Sequence, residues 1–295
     1  MGSGSSWLVG AGDEVVPGIR AERKLGGGER YEAYLGWHER MFAPVVVKVV
    51  RPDLVADSAT MRGLRREVEM LQRLSHPVIV RSFDADLEGE RPHVVLEHLD
   101  GPRLSSLLRR FGPLSMEQLL PLGLELCSAL HYLSTERVVH LDVKPSNIIM
   151  GAPPRLIDLS IARSLEAAAR LDHVTGTDAY LAPEQADPAR GRPPASPADI
   201  FGLGVTLYEG LTGVRPFPRG SRDQDASPED TWPQLVEAPA PLPGDIPGFV
   251  ATPILECLDP DPASRPTAAE LAGRLQPLVE ALPRPVLGAL RARMR

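Results

Sequence analysis

The sequence contains little of what marks several large classes of protein. It has only two cysteines in 295 residues, Cys127 and Cys257, and neither lies in a CxxC or histidine-rich motif. Reduced core thiols are therefore expected rather than a disulfide or a metal site. No apolar run of about 18 residues occurs, and the small, polar start lacks a signal core. A net charge of −7 disfavours nucleic acid. We expect a cytoplasmic protein with no nucleic-acid partner and no membrane segment in this chain.

A P-loop is also absent, because no G-x-x-x-x-G-K-[ST] segment occurs. A different glycine-rich turn, Gly26 to Gly28, is present between stretches with the residue pattern of β-strands. The stretches are Ile19 to Leu25, Tyr31 to His38 and, further along, Val45 to Val50. They predict an antiparallel ribbon that begins a small sheet. Glycines let backbone N–H groups fold closely over phosphates, although an ordinary hairpin turn uses the same residues.

A lysine lies within the last of these strands. Burial of Lys48 among β-branched neighbours is costly unless a carboxylate pairs with it, and the alternative is a strand-edge lysine that faces solvent. From Thr60 to Leu74 the apolar residues recur at helical spacing, which predicts a helix. Glu67 and Glu69 on this helix are candidate partners, and they face different directions.

The most informative stretch is the segment from His140 to Asn147, which follows an apolar helical stretch. It places the carboxylate of Asp142, the ammonium group of Lys144 and the amide of Asn147 on one short loop. Phosphoryl transfer requires an oriented hydroxyl, neutralised phosphate charge and a held Mg²⁺ ion rather than covalent chemistry by the protein. The three side chains therefore predict a phosphoryl-transfer site.

In their order along the chain, these motifs resemble those of eukaryotic-like serine/threonine protein kinases, and of bacterial members in particular. The stretch from His140 to Asn147 resembles the kinase catalytic loop, and Val45 to Lys48 resembles the V-A-I-K strand. Asp158-Leu159-Ser160 resembles D-F-G, and Thr175 to Glu184 resembles the G-T-x-x-Y-x-A-P-E stretch. The resemblance covers residues 18–282.

The resemblance implies an α+β, bilobal protein-kinase-like fold. The N-lobe, residues 18–98, would hold a small antiparallel sheet with one regulatory helix, and the larger C-lobe, residues 99–282, would be mainly helical. An N-terminal tail of residues 1–17 and a basic C-terminal tail of residues 283–295 would flank the lobes. Should the chain be a truncated piece, the basic tail would also suit the position before a membrane anchor. The sequence does not indicate an oligomeric state.

The resemblance also implies an enzyme that transfers the γ-phosphoryl group of ATP to serine or threonine hydroxyls of a protein substrate, with Mg²⁺, or Mn²⁺ in its place, as the metal cofactor. Asp142 would accept or orient the substrate proton, and Lys144 would neutralise the γ-phosphoryl group. Lys48, paired with Glu67, would hold the α- and β-phosphates. The remaining implied contacts are Gly26 and Gly28 over the phosphates, Leu96, Glu97 and Leu99 at the adenine, and Asn147 and Asp158 at the metal.

Three positions depart from the family pattern. Tyr31 stands where the third glycine of the glycine-rich turn is usual, Leu141 replaces the arginine of the catalytic loop, and Ser160 replaces the glycine of D-F-G. They favour an alternative hypothesis, a pseudokinase that binds nucleotide or partners as a scaffold with little turnover. Because leucine cannot pair with a phosphate, Leu141 also predicts that catalysis depends little on phosphorylation of Thr175 or Thr177.

Residues further along favour a protein kinase over a related small-molecule phosphotransferase, because such enzymes typically lack the Ala-Pro-Glu segment. Glu184 ends that segment, and Arg265 is its implied partner. Asp199 lies in the first turn of a helix that we expect to begin with Ser196 as its N-cap, and it is implied to brace the catalytic loop. Prolines between Arg215 and Pro247 predict an ordered surface loop, with disorder as the alternative.

Overall fold

A six-stranded antiparallel sheet forms the N-terminal part of the fold. The computed structural model describes residues 5–188, 192–223 and 225–283. The strands are β1 Glu14–Val16, β2 Ile19–Gly27, β3 Tyr31–His38, β4 Ala43–Val50, β5 Ser82–Asp86 and β6 His93–Glu97. They lie in the order β1-β2-β3-β4-β6-β5, and every adjacent pair is antiparallel. The ribbon predicted from the sequence is the part formed by β2, β3 and β4.

Strand β4 explains how a lysine reaches the interior of this lobe. Successive side chains of a strand point to opposite faces of the sheet. Val45, Val47 and Val49 therefore share one face, and all three are buried there. Lys48 points to the opposite face, which the first helix covers.

Helix α1, Ser58–Arg73, packs on that face of the sheet. Asp57 caps the helix by accepting a hydrogen bond from the Thr60 N–H at 2.7 Å. Glu67 lies on the buried face of the helix, whereas Glu69 is exposed. The buried apolar side chains beside Glu67 are Leu64, Val68 and Leu71. The helix predicted from the sequence is confirmed, and so is the difference in direction between its two glutamates.

Helices dominate the rest of the chain and enclose a larger core. Their bounds are α2 Leu104–Phe111, α3 Met116–Thr135, α4 Leu165–Ala168, α5 Pro183–Ala186, α6 Ser196–Thr212, α7 Pro228–Thr231, α8 Gly248–Glu256 and α9 Ala268–Glu280. Helix α3 packs against both α6 and α9. Two short antiparallel strand pairs are β7 Val138–Val139 with β10 Arg163–Ser164, and β8 Ile148–Ile149 with β9 Arg155–Leu156. These strand pairs hold the loops on which the candidate site lies.

The start of α6 corrects one prediction. Ser196 is the first residue of the helix rather than its N-cap, because the extended backbone of Ala195 takes the cap position. The Ser196 hydroxyl donates instead to Oγ of Ser134 at 3.1 Å, so it ties α6 to α3. Asp199 lies in the first turn of α6, as expected.

The proline-rich stretch from Arg215 to Pro247 packs onto the C-lobe where the structure describes it. It contains α7 and a 3-10 turn, Pro233–Leu235. Leu235 is buried in a small apolar cluster with Leu181 and Ala186. The described part of this stretch is therefore ordered surface structure, as the sequence predicts.

The predicted domain boundaries stay predictions, although the structure adds to both ends of the chain. Within the predicted N-terminal tail, residues Glu14–Val16 form β1, and Nε1 of Trp7 donates to the Val50 carbonyl at 2.7 Å. A short strand with no alternating pattern gave no sequence signal. Of the predicted basic tail, residues 284–295 lie outside the described residues.

Both cysteines lie in the C-lobe core. Cys127 and Cys257 are free and buried, as the sequence predicts, and burial raises the pKa of the Cys127 thiol to about 12. A thiol with such a high pKa is chemically inert at neutral pH. Across the parts of the chain that the structure describes, none of the helices has the length and apolar character needed to cross a membrane.

Candidate active site

Lys48 lies at the centre of a charged cluster formed by the sheet, α1 and the loop after β9. Its Nζ atom lies 2.9 and 2.7 Å from the two carboxylate oxygens of Glu67, and 2.9 Å from Oδ1 of Asp158. Only 1 % of the Glu67 side chain is exposed. Burial alone would lower the pKa of Lys48, but the charges of Glu67 and Asp158 outweigh burial and raise this pKa above its ordinary value. Lys48 is therefore a fixed cation at neutral pH.

Asp158 is held in position by its backbone as well as by Lys48. Its φ of 69° lies in the left-handed region, which turns its side chain away from the path of the strand that precedes it. The next residue, Leu159, is fully buried and anchors the turn. Burial would raise the pKa of Asp158, but Lys48 holds it well below its usual range. The Ile157 N–H donates to the Asn147 carbonyl at 2.8 Å, so the β8–β9 pair keeps Asp158 close to Asn147.

Two side chains of the predicted phosphoryl-transfer loop, Lys144 and Asn147, converge on the third, Asp142. Its Oδ2 atom accepts hydrogen bonds from Nζ of Lys144 at 2.6 Å and from Nδ2 of Asn147 at 2.9 Å. Its Oδ1 atom accepts a third hydrogen bond, at 2.7 Å, from the hydroxyl of Thr177. Lys144 also donates to the Thr177 hydroxyl. A carboxylate with three donors is firmly oriented, and it bridges the loop and the Thr175 to Glu184 stretch.

Asp199 holds the backbone of the loop just before Asp142. Its carboxylate accepts hydrogen bonds from the backbone N–H groups of His140 at 2.8 Å and Leu141 at 2.7 Å. Asp199 is buried, and burial raises its pKa. Leu141 has a left-handed φ of 66°, and only 3 % of it is exposed. The two hydrogen bonds to Asp199 therefore stabilise the unfavourable backbone conformation of Leu141, the residue immediately before Asp142.

The residues implied for adenine binding lie at the end of β6. Leu96 is buried, and the carboxylate of Glu97 turns toward Arg81 at 3.1 Å and Arg155 at 3.5 Å. The Glu97 N–H donates to the Arg81 carbonyl at 2.9 Å. That N–H is already bonded within the protein. The backbone groups that remain as candidates for hydrogen bonds to adenine are therefore the carbonyl of Glu97 and the backbone of Leu99.

The glycine-rich turn joins β2 to β3. Gly26 has a φ of 139°, which a residue with a side chain rarely adopts. At Gly27 a Cβ atom would lie 2.5 Å from the Tyr31 carbonyl, so the close approach of the two strands requires glycine there. The sequence pointed to Gly26 and Gly28, and the structure adds Gly27 to the residues that shape the turn.

Tyr31 has a role that sequence reasoning missed. Its ring centroid lies 4.6 Å from Nζ of Lys48, and its hydroxyl donates to the Thr60 carbonyl on α1 at 3.1 Å. Gly63 makes room for this contact, because a Cβ atom there would lie 3.1 Å from the hydroxyl. Burial raises the pKa of Tyr31 to about 12. Tyr31 thus connects the glycine-rich turn to the helix that carries Glu67, and no local sequence pattern relates these two segments.

The buried pair of Glu184 and Arg265 anchors the end of the Thr175 to Glu184 stretch. Two hydrogen bonds of 2.8 and 2.9 Å join the guanidinium group to the carboxylate, and both side chains are buried. Arg265 also donates to the carbonyls of Pro197 and Asp259, at 2.9 and 2.8 Å. Because the spare donors are satisfied, the buried pair fixes the Ala-Pro-Glu segment to the body of the lobe.

Comparison with known proteins identifies the family to which this fold belongs. A family model described as "Protein kinase domain" matches residues 19–274, and the chain therefore belongs to the protein kinase family. The bilobal α+β fold implied by the sequence motifs is confirmed.

The chain is similar to several bacterial serine/threonine-protein kinases. It is 35% identical to PkaA from Streptomyces coelicolor over 245 residues, which are 81% of this chain and 44% of the relative. It is 32% identical to PknB from Mycobacterium tuberculosis over 265 residues, 85% of this chain and 41% of the relative. It is 31% identical to pkn2 from Myxococcus xanthus over 272 residues, which are 87% of this chain and 32% of the relative. The matched part thus spans less than half the length of each of these curated relatives.

Proposed function

We propose that this domain is an ATP-dependent protein kinase that transfers the γ-phosphoryl group to serine or threonine hydroxyls of protein substrates. The observation that carries the proposal is the set of hydrogen bonds from Lys144, Asn147 and Thr177 to the carboxylate of Asp142. Membership of the kinase family and similarity to proteins named serine/threonine-protein kinases support it. The partners are ATP and a protein that presents serine or threonine.

The phosphates of ATP require a fixed cation, and Lys48 meets that requirement. Its bonds to both carboxylate oxygens of Glu67 hold the ammonium group in one place. The backbone around Gly26 and Gly28 would cover the phosphates, and Leu96, Glu97 and Leu99 would receive the adenine. These assignments follow the motif resemblance, and the burial and contacts of the residues are compatible with them.

A divalent metal ion fits the ligands that Asp158 and Asn147 offer. Among the described residues, no group of three or more His, Cys, Asp or Glu side chains could hold an ion alone. Mg²⁺ favours one or two protein oxygens completed by phosphate and water oxygens, and Mn²⁺ accepts the same oxygen ligands. Nδ2 of Asn147 is engaged by Asp142, which leaves the amide oxygen for an ion. A bound ion would supply neutralisation of the phosphate charge.

Asp142 would act on the substrate hydroxyl. In this proposal its carboxylate orients the hydroxyl and accepts its proton, and Lys144 balances the charge that develops on the transferred group. Thr177 fixes the carboxylate from the opposite side, at 2.7 Å. The protein's own contribution is thus orientation and electrostatic balance, which is what phosphoryl transfer requires.

The proposal includes a catalytic loop that works without the usual arginine. Leu141 is buried among apolar side chains and offers no donor to a phosphate. We therefore expect activity without phosphorylation of Thr175 or Thr177. We also propose a cytoplasmic location, since both thiols are free and a reducing compartment keeps them so.

A nucleotide-binding scaffold with little turnover is the second candidate. One observation favours it, because the ring of Tyr31 lies 4.6 Å from the ammonium group that would receive the phosphates. Leu141 and Ser160 are the other departures from the family pattern. Each residue to which direct chemistry is assigned is nevertheless present in the chain, which favours the kinase proposal.

Phosphate incorporation from labelled ATP with Mg²⁺ tests these functions. The wild type and Asp142→Asn are incubated with generic protein substrates and, separately, with small hydroxyl compounds. We expect protein phosphorylation by the wild type and a fall in kcat of roughly 10²- to 10⁴-fold in the variant, because asparagine cannot accept the proton. Nucleotide affinity stays unchanged. Asp84→Asn, which alters an exposed carboxylate on β5, serves as the control.

Other outcomes identify the alternatives. Nucleotide binding without turnover in the wild type assigns the scaffold function. Labelling of small hydroxyl compounds but of no protein assigns a small-molecule phosphotransferase.

A further inference from the structure

A buried glutamine joins the catalytic loop to the activation segment, which we define as residues 165–187. Nε2 of Gln185 donates to the Leu141 carbonyl and to the Thr175 carbonyl, both at 3.0 Å. Its Oε1 atom accepts from the Ala182 N–H at 3.2 Å. Both polar atoms of this amide are therefore engaged, and only 4 % of the residue is exposed.

The backbone of the activation segment approaches the catalytic loop very closely at this point. Gly176 has a φ of 130°, and a Cβ atom there would lie 2.8 Å from the Leu141 carbonyl and 2.5 Å from Cδ2 of Leu181. A residue with a side chain would force the two segments apart. The glycine permits the contact, and the amide of Gln185 satisfies the carbonyls that the contact buries.

A second buried glutamine holds the next part of the activation segment from the other side. Nε2 of Gln234 donates to the Asp178 carbonyl at 2.8 Å and to the Leu181 carbonyl at 3.1 Å. Gln234 is 5 % exposed and lies in the Pro233–Leu235 turn of the proline-rich stretch. The neighbouring Trp232 donates from Nε1 to Oδ1 of Asp178 at 3.2 Å.

These contacts use neutral donors where a phosphorylated segment would need a cation. A primary amide can donate two hydrogen bonds at once, and here each glutamine uses both on backbone carbonyls of the segment or the loop. No charged group takes part in the four bonds, so their strength does not depend on a phosphate. The side chain of Leu141, which replaces the usual arginine, lies buried beside them.

We propose that Gln185 and Gln234 hold the activation segment in its substrate-accepting shape without phosphorylation, and that Gln185 is a positioning residue for Asp142. Gln185 acts at two places next to the carboxylate. Leu141, whose carbonyl it binds, precedes Asp142, and Thr175, whose carbonyl it also binds, lies two residues before the threonine that donates to Asp142. Gln234 acts further along, on the wall against which a substrate peptide would lie. The inference rests on the proposed kinase function.

Steady-state kinetics on phosphatase-treated protein separate the two roles. The variants are Gln185→Leu, Gln185→Glu and Gln234→Leu, with Gln276→Leu as the matched control, because Gln276 bonds only to Glu280 on the exposed face of α9 in the described structure. Both Gln185 variants are expected to lose kcat by roughly 10- to 100-fold, since a shift of Asp142 by a fraction of an ångström disturbs the alignment. Their KM for ATP stays within about 2-fold, because the charged cluster does not touch Gln185.

Gln234→Leu is expected to behave differently. Its main effect is a rise of roughly 5- to 10-fold in the KM for a peptide substrate, with a smaller change in kcat. Gln276→Leu leaves all constants unchanged. The proposal is wrong if the Gln185 variants keep the wild-type kcat, if the KM for ATP changes as much as kcat does, or if phosphorylation of the wild type raises its activity by more than about 10-fold.

Hydrogen exchange gives a readout that does not depend on turnover. Peptides that cover residues 138–147 and 174–182 are expected to exchange faster in both Gln185 variants than in the wild type, and those outside these stretches at the same rate. The leucine variant removes the polar atoms, whereas the glutamate variant keeps the size of the side chain but repels the two carbonyls, so either variant that folds serves the test. A wild type without kinase activity would end the proposed function, whereas equal exchange in wild type and variants would overturn the present inference.

Discussion

The two halves of the candidate site are held together by different chemistry. On the nucleotide side, the ammonium group of Lys48 is fixed by the carboxyl groups of Glu67 and Asp158. On the substrate side, the neutral amides of Gln185 and Gln234 hold the stretch of the activation segment from Thr175 to Leu181, and the buried pair of Glu184 and Arg265 anchors its end. In the proposed function, the first half would bind the phosphates of ATP, and the second half would contact the protein substrate.

The difference shows how each half responds to change. Removing one member of a charged cluster leaves the others buried without a counter-charge, so the effect on stability is large. Removing a neutral amide leaves carbonyl groups unsatisfied, which costs less and acts mainly through geometry. We therefore expect the loss of a buried charge to lower stability more than the loss of a buried amide, and the loss of either glutamine to act mainly on the kinetic constants.

The largest expected effect comes from breaking the charged half. Lys48→Met leaves Glu67 buried without its partner, and we expect a loss of about 3 kcal/mol of unfolding free energy together with loss of kinase activity. Denaturant unfolding and phosphate incorporation measure the two effects. The double variant Lys48→Met/Glu67→Leu removes both charges and is expected to recover most of the stability but none of the activity. If the single and double variants are equally stable, the buried charge is not the cause.

An effect of intermediate size on stability is expected when the pH is lowered. It arises at Glu32, a carboxylate of the N-lobe that lies outside both halves of the site. Glu32 is buried and accepts hydrogen bonds from Tyr34 at 2.8 Å and from Lys24. Burial alone would raise its pKa, but the bonds from Lys24, Ser6 and Tyr34 outweigh burial and lower the pKa to about 2.

The unfolded chain protonates this carboxylate near pH 4.5, whereas the folded protein keeps it ionised down to about pH 2. The stability from Glu32 is therefore present above pH 4.5 and disappears as the pH falls toward 2. Glu32→Gln should be less stable at neutral pH and should show a shallower loss of stability between these two pH values. Denaturant titrations across that range test the slope, and parallel curves for wild type and variant would contradict the assignment.

The smallest expected effect comes from a change in the nucleotide half, at Tyr31. Tyr31→Phe removes the hydrogen bond from the turn to the Thr60 carbonyl and should cost about 1 kcal/mol. Because the bond also positions α1, the KM for ATP should change by a few-fold. Tyr132→Phe is the matched control. The Tyr132 hydroxyl lies outside the site and accepts a hydrogen bond of 2.9 Å from the Ser75 N–H. An equal change in the KM for ATP in both variants would remove the special role of Tyr31.

Charged residues of the site were predictable from the sequence, whereas its neutral contacts were not. A lysine in a β-branched strand and carboxylates at family spacing indicate chemistry by their burial cost, and the structure brings Lys48, Glu67 and Asp158 together. Gln185 and Gln234 carry no comparable signal, because a glutamine costs little at most positions. Their role depends on which backbone carbonyls approach them in three dimensions.

For the fold, the distinction is between local sequence patterns, which were predictable, and tertiary contacts, which were not. Strands β2 to β4 and helix α1 have clear periodicity, and the sequence predicts them almost to their ends. The prediction that Ser196 caps α6 was wrong, because its hydroxyl forms a tertiary hydrogen bond to Ser134 that outweighs the local capping signal. The contact of Tyr31 with α1 escaped prediction because it joins a turn to a helix that is distant in sequence.

The pair of Glu184 and Arg265 has a consequence for the order in which the protein acquires its shape. The two residues are 81 positions apart, and both charges are buried in the finished fold. While the chain is being synthesised, Glu184 is present long before Arg265 leaves the ribosome. The anchor of the Thr175 to Glu184 stretch is therefore completed only when the part of the C-lobe around Arg265 has been synthesised, and a nascent chain cannot form this buried pair before that moment.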